Sequence, residues 1–380
     1  MSQPAGTRVP RVLHLHSTFS AGGKEVRCAR LMNAWGARLH HTIISAEPEA
    51  IAAAALIDAH VPVALPQDFP SLKGRPTPLR LARLARAMQG FDLICTYNWG
   101  AMDGVMAHRI FARTLRLAPL VHHEDGFNED EAARLKPSRN LYRRAALGAA
   151  AQVIVPSRLL ERIAHADWHQ PQAKVERIAN GIDTAAFAAP PRPDALPFAK
   201  TQGQCWVGTL AGLRAVKQLP ALVEACAALP PDWHLVICGE GPERAAIVAA
   251  AERHGMADRL HLPGAVDPAS VVGLFDIFAL SSASEQFPLS VVEAMAAGLP
   301  VAAPDVGDIA AILSEPNRAF ITRPLDTPAL AAALAQLATD AELRGRLGAA
   351  NQARARSEFD AAAMLARYHA VYAKALARDF

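Results

Sequence analysis

The sequence predicts an α/β protein with two doubly wound, Rossmann-like domains that face each other across a cleft. Two observations support this fold class. Short apolar runs alternate with longer amphipathic segments, and this alternation stops at a proline-rich stretch and then starts again. The chain of 380 residues is also longer than a typical single domain.

The first half contains five short apolar runs that predict buried strands, and amphipathic segments such as GKEVRCARLMNAWG predict helices between them. This order is typical of βαβ units and a parallel sheet, which places a first domain at residues 1–186. In chain order the runs are RVLHLH, HTIIS, DLICT, PLVHH and QVIVPS.

Residues 187–204 are rich in proline and lack periodicity, which predicts a linker. The alternation then starts again and predicts a second domain at residues 205–356. Its runs are CWVGTL, HLVICGEG, RLHLPG, DIFALSS and PVAAP. Residues 357–380 predict a C-terminal helix, and the sequence leaves open whether it packs on the second domain or returns to the first.

The net charge of +3 is unevenly distributed along the chain. Residues 1–185 contain 23 Lys and Arg against 16 Asp and Glu, whereas residues 186–380 contain 16 against 20. The segments RPTPLRLARLARAM and RLKPSRNLYRRAAL place arginines at helical spacing beside leucines. Two interpretations stay open: a solvated helix face, or attraction to an anionic membrane surface or a phosphate-bearing acceptor. No nucleic-acid partner is expected.

Other features indicate a cytoplasmic protein, with peripheral contact on the inner face of a membrane as a further expectation. The N-terminus lacks the apolar core of a secretory signal, and no apolar run reaches the roughly 18 residues of a membrane span. The five cysteines form no C-x-x-C pair, which fits a reducing compartment. The histidines form no H-E-x-x-H motif, so no metal is expected.

The stretch SEQFPLSVVEAMAAGLPV places Glu285 and Glu293 near the start of a predicted helix. Glu285 falls in the loop after the predicted strand DIFALSS, Pro288 suits the first helical turn, and Glu293 lies more than one turn inside. The unpaired N–H groups of this turn, those of Leu289 and Ser290 among them, attract a phosphate. Carboxylates repel phosphate but accept hydrogen bonds from hydroxyls, so a nucleotide sugar fits all three groups.

The stretch EQFPLSVVEAMAAGLPV resembles the E-x7-E signature of retaining glycosyltransferases of family four, which have the two-domain GT-B fold. FSAGGKEV resembles the family's glycine loop, and ANGID resembles its turn before the linker. VGTLAGLRAVKQLPALVEA and VICGEGPER resemble the start of its nucleotide domain and the loop after the next major strand. The resemblance spans most of the chain and implies sugar transfer from a nucleotide sugar to an acceptor, with retained anomeric configuration and without a metal or other cofactor.

The resemblance implies that the second domain binds the nucleotide sugar. Glu293 would hold the ribose hydroxyls, and Glu285 would contact hydroxyls of the donor sugar. Arg214 and Lys217 would neutralise the diphosphate as the nucleotide leaves. Further donor-binding positions lie at the helix start and in the loop VICGEGPER: Pro288, Leu289, Ser290 and Gly241.

The first domain would bind the acceptor. Gly22 and Gly23 would let their loop approach the donor phosphate and the acceptor closely. His123 would end a strand and face the donor sugar as a catalytic residue. Because neighbouring strand residues point to opposite faces, at most one of His122 and His123 is expected to reach the cleft. Asp125 is left open, either as part of the acceptor site or as a group that orients the histidine.

The chain also departs from the family pattern. VGDIAAIL has Asp308 and Ala311 where many members have a second glycine and a glutamate, which bears on the donor pocket. Thr209 stands where a basic residue is common, so Arg214 and Lys217 are expected to take a larger share of phosphate binding.

The sequence therefore predicts a retaining hexosyltransferase in the synthesis of a surface polysaccharide or lipopolysaccharide. A UDP-sugar is the first candidate donor, GDP-mannose is the second, and the acceptor is a glycan or a lipid-linked molecule. A sugar-nucleotide epimerase on the same fold is one alternative. A non-catalytic sugar-nucleotide-binding or scaffold protein is another, and Ala311 is its support. No carboxylate is placed as a nucleophile, which favours front-face attack.

Overall fold

The computed structural model describes residues 8–20, 22–127, 131 and 135–380. The chain divides into two compact units. The first comprises Met1–Ala179 together with Leu365–Phe380, and the second comprises Asn180–Met364. The boundary lies between residues 179 and 180, whereas the first domain was predicted to end at residue 186, and a short helix, Thr184–Ala188, lies within the second unit.

The first unit alternates strands and helices along the chain. Its elements are β1 Arg11–His16, α1 Gly23–Trp35, β2 His40–Ser45, β3 Val63–Ala64, α2 Pro78–Ala87, β4 Leu93–Tyr97, α3 Met102–Leu115, β5 Leu120–His123, α4 Pro137–Leu147, β6 Gln152–Val155, α5 Arg158–Ala166 and β7 Val175–Arg177.

The second unit repeats this alternation and ends in three long helices. Its elements are α6 Thr184–Ala188, β8 Cys205–Leu210, α7 Leu219–Ala227, β9 Trp233–Cys238, α8 Arg244–Arg253, β10 Leu260–Gly264, α9 Pro268–Val271, β11 Ile277–Ala279, α10 Leu289–Ala296, β12 Val301–Pro304, α11 Ile309–Ile312, β13 Ile321–Thr322, α12 Thr327–Thr339, α13 Ala341–Glu358 and α14 Ala361–Leu376. From Leu365 onward, α14 belongs to the first unit.

Among the described residues, each unit contains one sheet whose strands pair in parallel. The strand order is β3-β2-β1-β4-β5-β6-β7 in the first unit and β10-β9-β8-β11-β12-β13 in the second. In each sheet the chain starts near the middle and winds outward in both directions, as expected for a doubly wound fold. The prediction of two doubly wound parallel sheets is confirmed.

The two faces of the first sheet differ in chemistry. Leu13 and Leu15 of β1 join an apolar core with residues of α2, α3, α4 and α5. The alternate side chains of β1, His14 and His16, point to the opposite face, where Cys28 of α1 lies. Because strand side chains alternate, one short strand supplies both an apolar and a polar layer.

Side chains that the sequence provides at the helix starts fix several boundaries. Ser157, Asp326 and Asp340 each accept a hydrogen bond from a backbone N–H of the first turn of α5, α12 and α13, at 3.1, 3.0 and 2.8 Å. Such caps satisfy donors that a helix cannot pair internally. No helix in the described part of the chain has the length and apolar character needed to span a membrane.

A buried asparagine pair joins α13 to the sheet of the second unit. Asn351 of α13 donates to the carbonyl of Leu299 at 2.8 Å and to Oδ1 of Asn317 at 2.7 Å. Asn317 in turn bonds both backbone groups of Val301, the first residue of β12. Both asparagines are fully buried, so each broken bond would leave a polar group without water. The pair therefore fixes where β12 begins.

We predict that Asn351→Ala lowers the free energy of unfolding by about 1–3 kcal/mol, because it leaves buried partners unsatisfied. Gln336→Ala on the exposed face of α12 is the control and should change stability by less than about 0.5 kcal/mol. Thermal and denaturant unfolding of both variants measure the effect. Equal stability of the two variants would show that the asparagine pair does not anchor β12.

Candidate active site

Four loops of the second unit meet at the carboxyl edge of its sheet. They follow β8, β9, β11 and β12, which lie side by side in the order β9-β8-β11-β12. Backbone bonds join the first and third of these loops, because Ala283 donates to the carbonyl of Val216 at 2.8 Å. In doubly wound sheets this edge is where ligands bind.

Glu285 and Lys217, predicted from separate motifs, form an ion pair at this edge. Lys217 Nζ donates to Glu285 Oε1 at 2.5 Å, and Ser282 Oγ donates to the same oxygen at 2.7 Å. The Lys217 side chain is 15% exposed and that of Glu285 is 11% exposed. The hydroxyl of Ser281 also donates to the carbonyl of Lys217 at 2.8 Å. The loop after β11 thus holds the lysine by its backbone and by its charge.

α10 begins at Leu289, four residues after Glu285. Pro288 precedes the helix instead of standing in its first turn, which corrects the sequence prediction by one residue. The N–H groups of Leu289 and Ser290 have no hydrogen-bond partner among the described residues, and the first turn contains no acidic side chain. This helix start is therefore suited to an anion. Glu293 is the fifth residue of α10 and is half-buried.

Close packing of two backbone segments fixes the position of the loop that contains Gly241. A side chain at Gly241 would place its Cβ 2.4 Å from the carbonyl oxygen of Leu213, and the glycine has a φ of +157°. Leu213 also bonds the backbones of Glu240 and Glu243 at 2.9 and 3.0 Å. The close approach of these two loops requires glycine here. Arg214, next to Leu213, is exposed, and its guanidinium has no partner among the described residues.

The residues that depart from the family pattern are Asp308, Ala311 and Thr209, and Asp308 lies next to the loop that contains Glu285. A Cβ at Gly307 would lie 2.3 Å from the carbonyl oxygen of Glu285, and the N–H of Asp308 donates to Gln286 at 3.1 Å. The loop after β12 therefore supports the backbone of Glu285. Ala311 lies in α11, where its carbonyl accepts a bond from Arg354 at 2.9 Å. Thr209 is fully buried in β8.

His123 ends β5 as predicted, but its side chain is 1% exposed and does not present a free face. Nδ1 faces the carbonyl of Thr96 at 3.3 Å, and Nε2 accepts a bond from the Tyr372 hydroxyl of α14 at 3.0 Å. Burial, followed by the charge of Arg27, lowers the pKa of His123 to about 3. His122 is also buried and bonds the Thr96 hydroxyl at 2.8 Å. The position of His123 at the end of β5 agrees with the prediction, whereas its ring is enclosed by Thr96 and Tyr372, and its catalytic role stays a prediction.

Asp125 pairs with Arg27, a residue that no sequence motif singled out. The guanidinium of Arg27 in α1 makes two bonds to the carboxylate, one of them 2.8 Å long. Burial opposes ionisation of Asp125, but the charge and hydrogen bonds of Arg27 outweigh it, so the pKa of Asp125 lies below its ordinary value. Arg27 follows the glycine loop by one helical turn, and that position is the only sequence signal for it.

The glycine loop itself leads into α1. Gly22 is the residue before the helix, and a Cβ there would lie 2.8 Å from Glu25 Oε2. Gly23 is exposed, and a Cβ there would meet nothing within 4 Å. The space over Gly23 is thus open to an approaching group.

A cavity of about 490 Å³ opens at the carboxyl edge of the first sheet. Its walls include Ser17, Ala46 and Trp99, which follow β1, β2 and β4. Apolar surface from Trp99 and Tyr142 stands beside the charges of Asp103, Arg139 and Lys73. The Tyr142 hydroxyl donates to Asp103 at 2.7 Å, and the Arg139 guanidinium lies 4.8 Å above the Trp99 ring. An aromatic wall with charged groups suits a ring-shaped polar ligand.

Comparison with protein families matches most of the chain. The family model described as Glycosyltransferase Family 4 matches residues 21–186, and the model described as Glycosyl transferases group 1 matches residues 199–354. The two matches lie in the order that the sequence motifs predicted, one in each half of the chain.

Curated relatives match over shorter segments. N-acetyl-alpha-D-glucosaminyl L-malate synthase of Bacillus anthracis is 27% identical over 173 residues, which is 45% of this chain and 45% of the relative. 2-Deoxystreptamine N-acetyl-D-glucosaminyltransferase of Streptomyces fradiae is 31% identical over 143 residues, which is 36% of this chain and 34% of the relative. The chain spans less than half the length of these relatives.

Two solved structures match over nearly the whole chain. HepE (Alr3699) of Anabaena in complex with UDP superposes with a TM-score of 0.79 at 21% identity and covers 96% of this chain and 100% of that chain. Sucrose-phosphate synthase of Thermosynechococcus elongatus gives a TM-score of 0.76 at 21% identity and covers 97% and 99%. At this identity the likeness shows the fold. The two family matches show that the chain belongs to glycosyltransferase family four, and the structural likeness shows that it has the GT-B fold.

Proposed function

We propose that the protein is a retaining glycosyltransferase that transfers a sugar from a nucleotide sugar, with a UDP-sugar as the first candidate donor and GDP-mannose as the second. The observation that supports this most is the edge of the second sheet. There Glu285, paired with Lys217, lies four residues before a helix start with two open N–H groups. Cations, amides and carboxylates are the groups that a diphosphate flanked by hydroxyl-rich rings requires.

The ion pair suggests how the donor engages the site. A diphosphate that binds the N–H groups of Leu289 and Ser290 competes with Glu285 for Lys217, since phosphate oxygens are strong acceptors for an ammonium. Once Lys217 turns to the phosphate, Glu285 is available to the hydroxyls of the donor sugar, while Glu293 takes the ribose. The exposed Arg214 adds a second cation for the departing diphosphate.

We further propose a front-face mechanism without a metal. The bond between the anomeric carbon and the phosphate oxygen breaks, and the acceptor oxygen attacks the same face. The leaving phosphate takes the acceptor proton, so no enzymic base is needed. Lys217, Arg214 and the α10 N-terminus supply the positive potential that a divalent cation supplies in other transferases.

The acceptor, in this proposal, is a glycan or a lipid-linked molecule in the synthesis of a surface polysaccharide or lipopolysaccharide. The cavity beside Trp99 and Tyr142 in the first unit is the candidate acceptor site, because an aromatic wall stacks against a sugar ring. The names of relatives pair sugars with acceptors as different as L-malate and 2-deoxystreptamine, so family membership leaves the acceptor open. One structural neighbour, at 13% identity, is a lipopolysaccharide outer core galactosyltransferase.

Ala311 favours a second candidate, a sugar-nucleotide-binding protein without transfer activity. Both candidates bind a donor, so donor binding supports the shared site and turnover separates them.

We predict that one nucleoside diphosphate, UDP first and GDP second, raises the unfolding temperature of the protein with or without chelator. A ligand at a hundredfold excess over its dissociation constant stabilises the native state by roughly 2.7 kcal/mol. Glu293→Ala should reduce the shift strongly, because it removes the acceptor for the ribose hydroxyls. Glu224→Ala, an exposed helix acid of the same unit, is the matched control and should keep the full shift.

Each variant is compared with its own ligand-free unfolding temperature, so a change in basal stability does not enter the result. A shift that Glu293→Ala and Glu224→Ala share, or no shift with UDP, GDP or ADP, would contradict the donor site proposed here. A shift that vanishes with chelator would contradict metal independence alone.

Peripheral membrane contact through the first unit is part of the proposal. Leu79 of α2, Ile110 of α3 and Leu141 of α4 are 61%, 52% and 67% exposed, and α3 contacts both of the other helices. Exposed arginines on the same three helices are Arg83, Arg86, Arg109, Arg113 and Arg144. Exposed leucines among arginines are typical of a surface that binds anionic lipid.

We expect the protein to co-sediment with vesicles that contain an anionic lipid and much less with zwitterionic vesicles. The double variant Leu79→Asp, Leu141→Asp should lower the bound fraction several-fold, because it removes apolar area and adds repulsion. Val248→Asp, an exposed apolar residue of the second unit, is the control. Binding that does not depend on the anionic lipid, or that is equal in the double variant and the control, would rule out this surface as the membrane contact.

A further inference from the structure

A group of imidazoles lies under the glycine loop of the first unit, and the proposed donor chemistry does not use it. His14 and His16 of β1, Cys28 of α1 and Tyr97 of β4 each have 1% exposure or less. His14 and His16 share one face of the sheet because they are two positions apart on a strand. Cys28 faces both of them from the first helix.

The donor atoms of these residues converge. Cys28 Sγ lies 3.8 Å from His14 Nδ1 and 3.9 Å from His16 Nε2. The Tyr97 hydroxyl lies 3.0 Å from His14 Nδ1 and 3.4 Å from Cys28 Sγ. The three ligand atoms of the histidines and the cysteine all lie within 4.8 Å of one another.

The donor atoms lie close together, and the histidine tautomers decide which of them carry protons. His14 Nε2 lies 3.0 Å from His41 Nδ1, and when His14 is the donor of this bond its Nδ1 is a lone pair. His16 Nδ1 is buried without a partner among the described residues, while its Nε2 faces the thiol. With His14 protonated on Nε2 and His16 on Nδ1, both nitrogens nearest Cys28 carry lone pairs that a cation can bind.

We propose that His14, His16 and Cys28 bind a zinc ion in the interior of the first unit, with the Tyr97 hydroxyl at the fourth position. Two imidazoles and a thiolate are ligands that zinc favours. Cys28 binds as the thiolate, and its proton leaves to solvent as the metal enters.

The two sulfur–nitrogen spacings are close to those around such an ion. Zinc lies about 2.3 Å from sulfur and about 2.0–2.1 Å from nitrogen, which puts the two donors about 3.6–3.8 Å apart at bond angles of 109–120°. The two observed sulfur–nitrogen distances are 3.8 and 3.9 Å. Little movement of Cys28 is needed to accept the metal.

The second layer around the ligands also suits this role. The bond to His41 fixes the ring of His14, as the outer partners of metal-bound imidazoles do. The ring of His16 stacks on Tyr97 with centroids 3.9 Å apart and meets the edge of Phe19 at 4.9 Å. Both rings are therefore oriented before a metal arrives.

A zinc ion here would join β1 to α1. His16 is the last residue of β1, Cys28 lies in the second turn of α1, and the glycine loop is the segment between them. The ion would close a short loop around Gly22 and Gly23 and hold both of its ends. Its role would be positional, distinct from the metal-free transfer proposed for the second unit.

The full-length protein tests the site directly. After removal of metal under reducing conditions and reconstitution with zinc, the wild type should retain about one zinc ion per chain, measured by elemental mass spectrometry. Cys28→Ser should retain less than about a tenth of that, since it removes the thiolate. Cys95→Ser is the matched control, because Cys95 is an equally buried thiol of the same unit outside the cluster.

Cobalt binding to the wild type gives a second measurement that needs no variant. Cobalt in a site with one thiolate should produce ligand-to-metal charge-transfer absorption in the near ultraviolet, and zinc should abolish it. The absence of this absorption and of retained zinc in the wild type would overturn the proposal. Equal zinc in Cys28→Ser and Cys95→Ser would overturn it as well, and neither result depends on the donor site.

Discussion

The parallel pairing of β9, β8, β11 and β12 is the constraint on which the candidate donor site depends. Parallel strands end at the same edge, so residues more than 60 positions apart in the sequence, such as Lys217 and Glu285, come within hydrogen-bond distance. The backbone at Gly241 packs closely on Leu213 and the backbone at Gly307 packs closely on Glu285, and these contacts hold the loops in place. The pair of Asn317 and Asn351 supports the same arrangement, because it fixes the start of β12.

The opposite charges at this edge of the second sheet are already paired, and this pairing can be exchanged for contacts to a ligand. Glu285 accepts bonds from Lys217 and Ser282, so the carboxylate is satisfied before a ligand arrives. In the proposed binding mode a phosphate would offer the lysine a stronger acceptor, and sugar hydroxyls would then satisfy the carboxylate. The same two side chains would therefore serve as a resting pair and as separate contacts to the two parts of the donor. Binding would replace polar contacts without leaving a buried charge unpaired.

The fold and the outline of the candidate donor site follow from the sequence, whereas the pairing of side chains does not. Apolar periodicity predicts both sheets, and the motif around Glu285 and Glu293 places them correctly at a helix start. The Lys217–Glu285 pair arises from tertiary contact, which no local pattern encodes. His123 shows the opposite case: its place at a strand end is predictable, but its cover, Tyr372, comes from a helix 249 residues later. His14 and His16 do not have the helical spacing of the common metal motifs, because they share a face of a strand.

The central claim is retaining transfer from a nucleotide sugar, and the anomer first released tests it most directly. UDP-α-glucose, UDP-α-N-acetylglucosamine and GDP-α-mannose would each be incubated with the protein, with water as the surrogate acceptor, and followed by proton NMR in real time. The account predicts that the accepted donor releases the α-anomer first, before mutarotation. Release of the β-anomer first would contradict retention, and no release from any donor would contradict transfer itself.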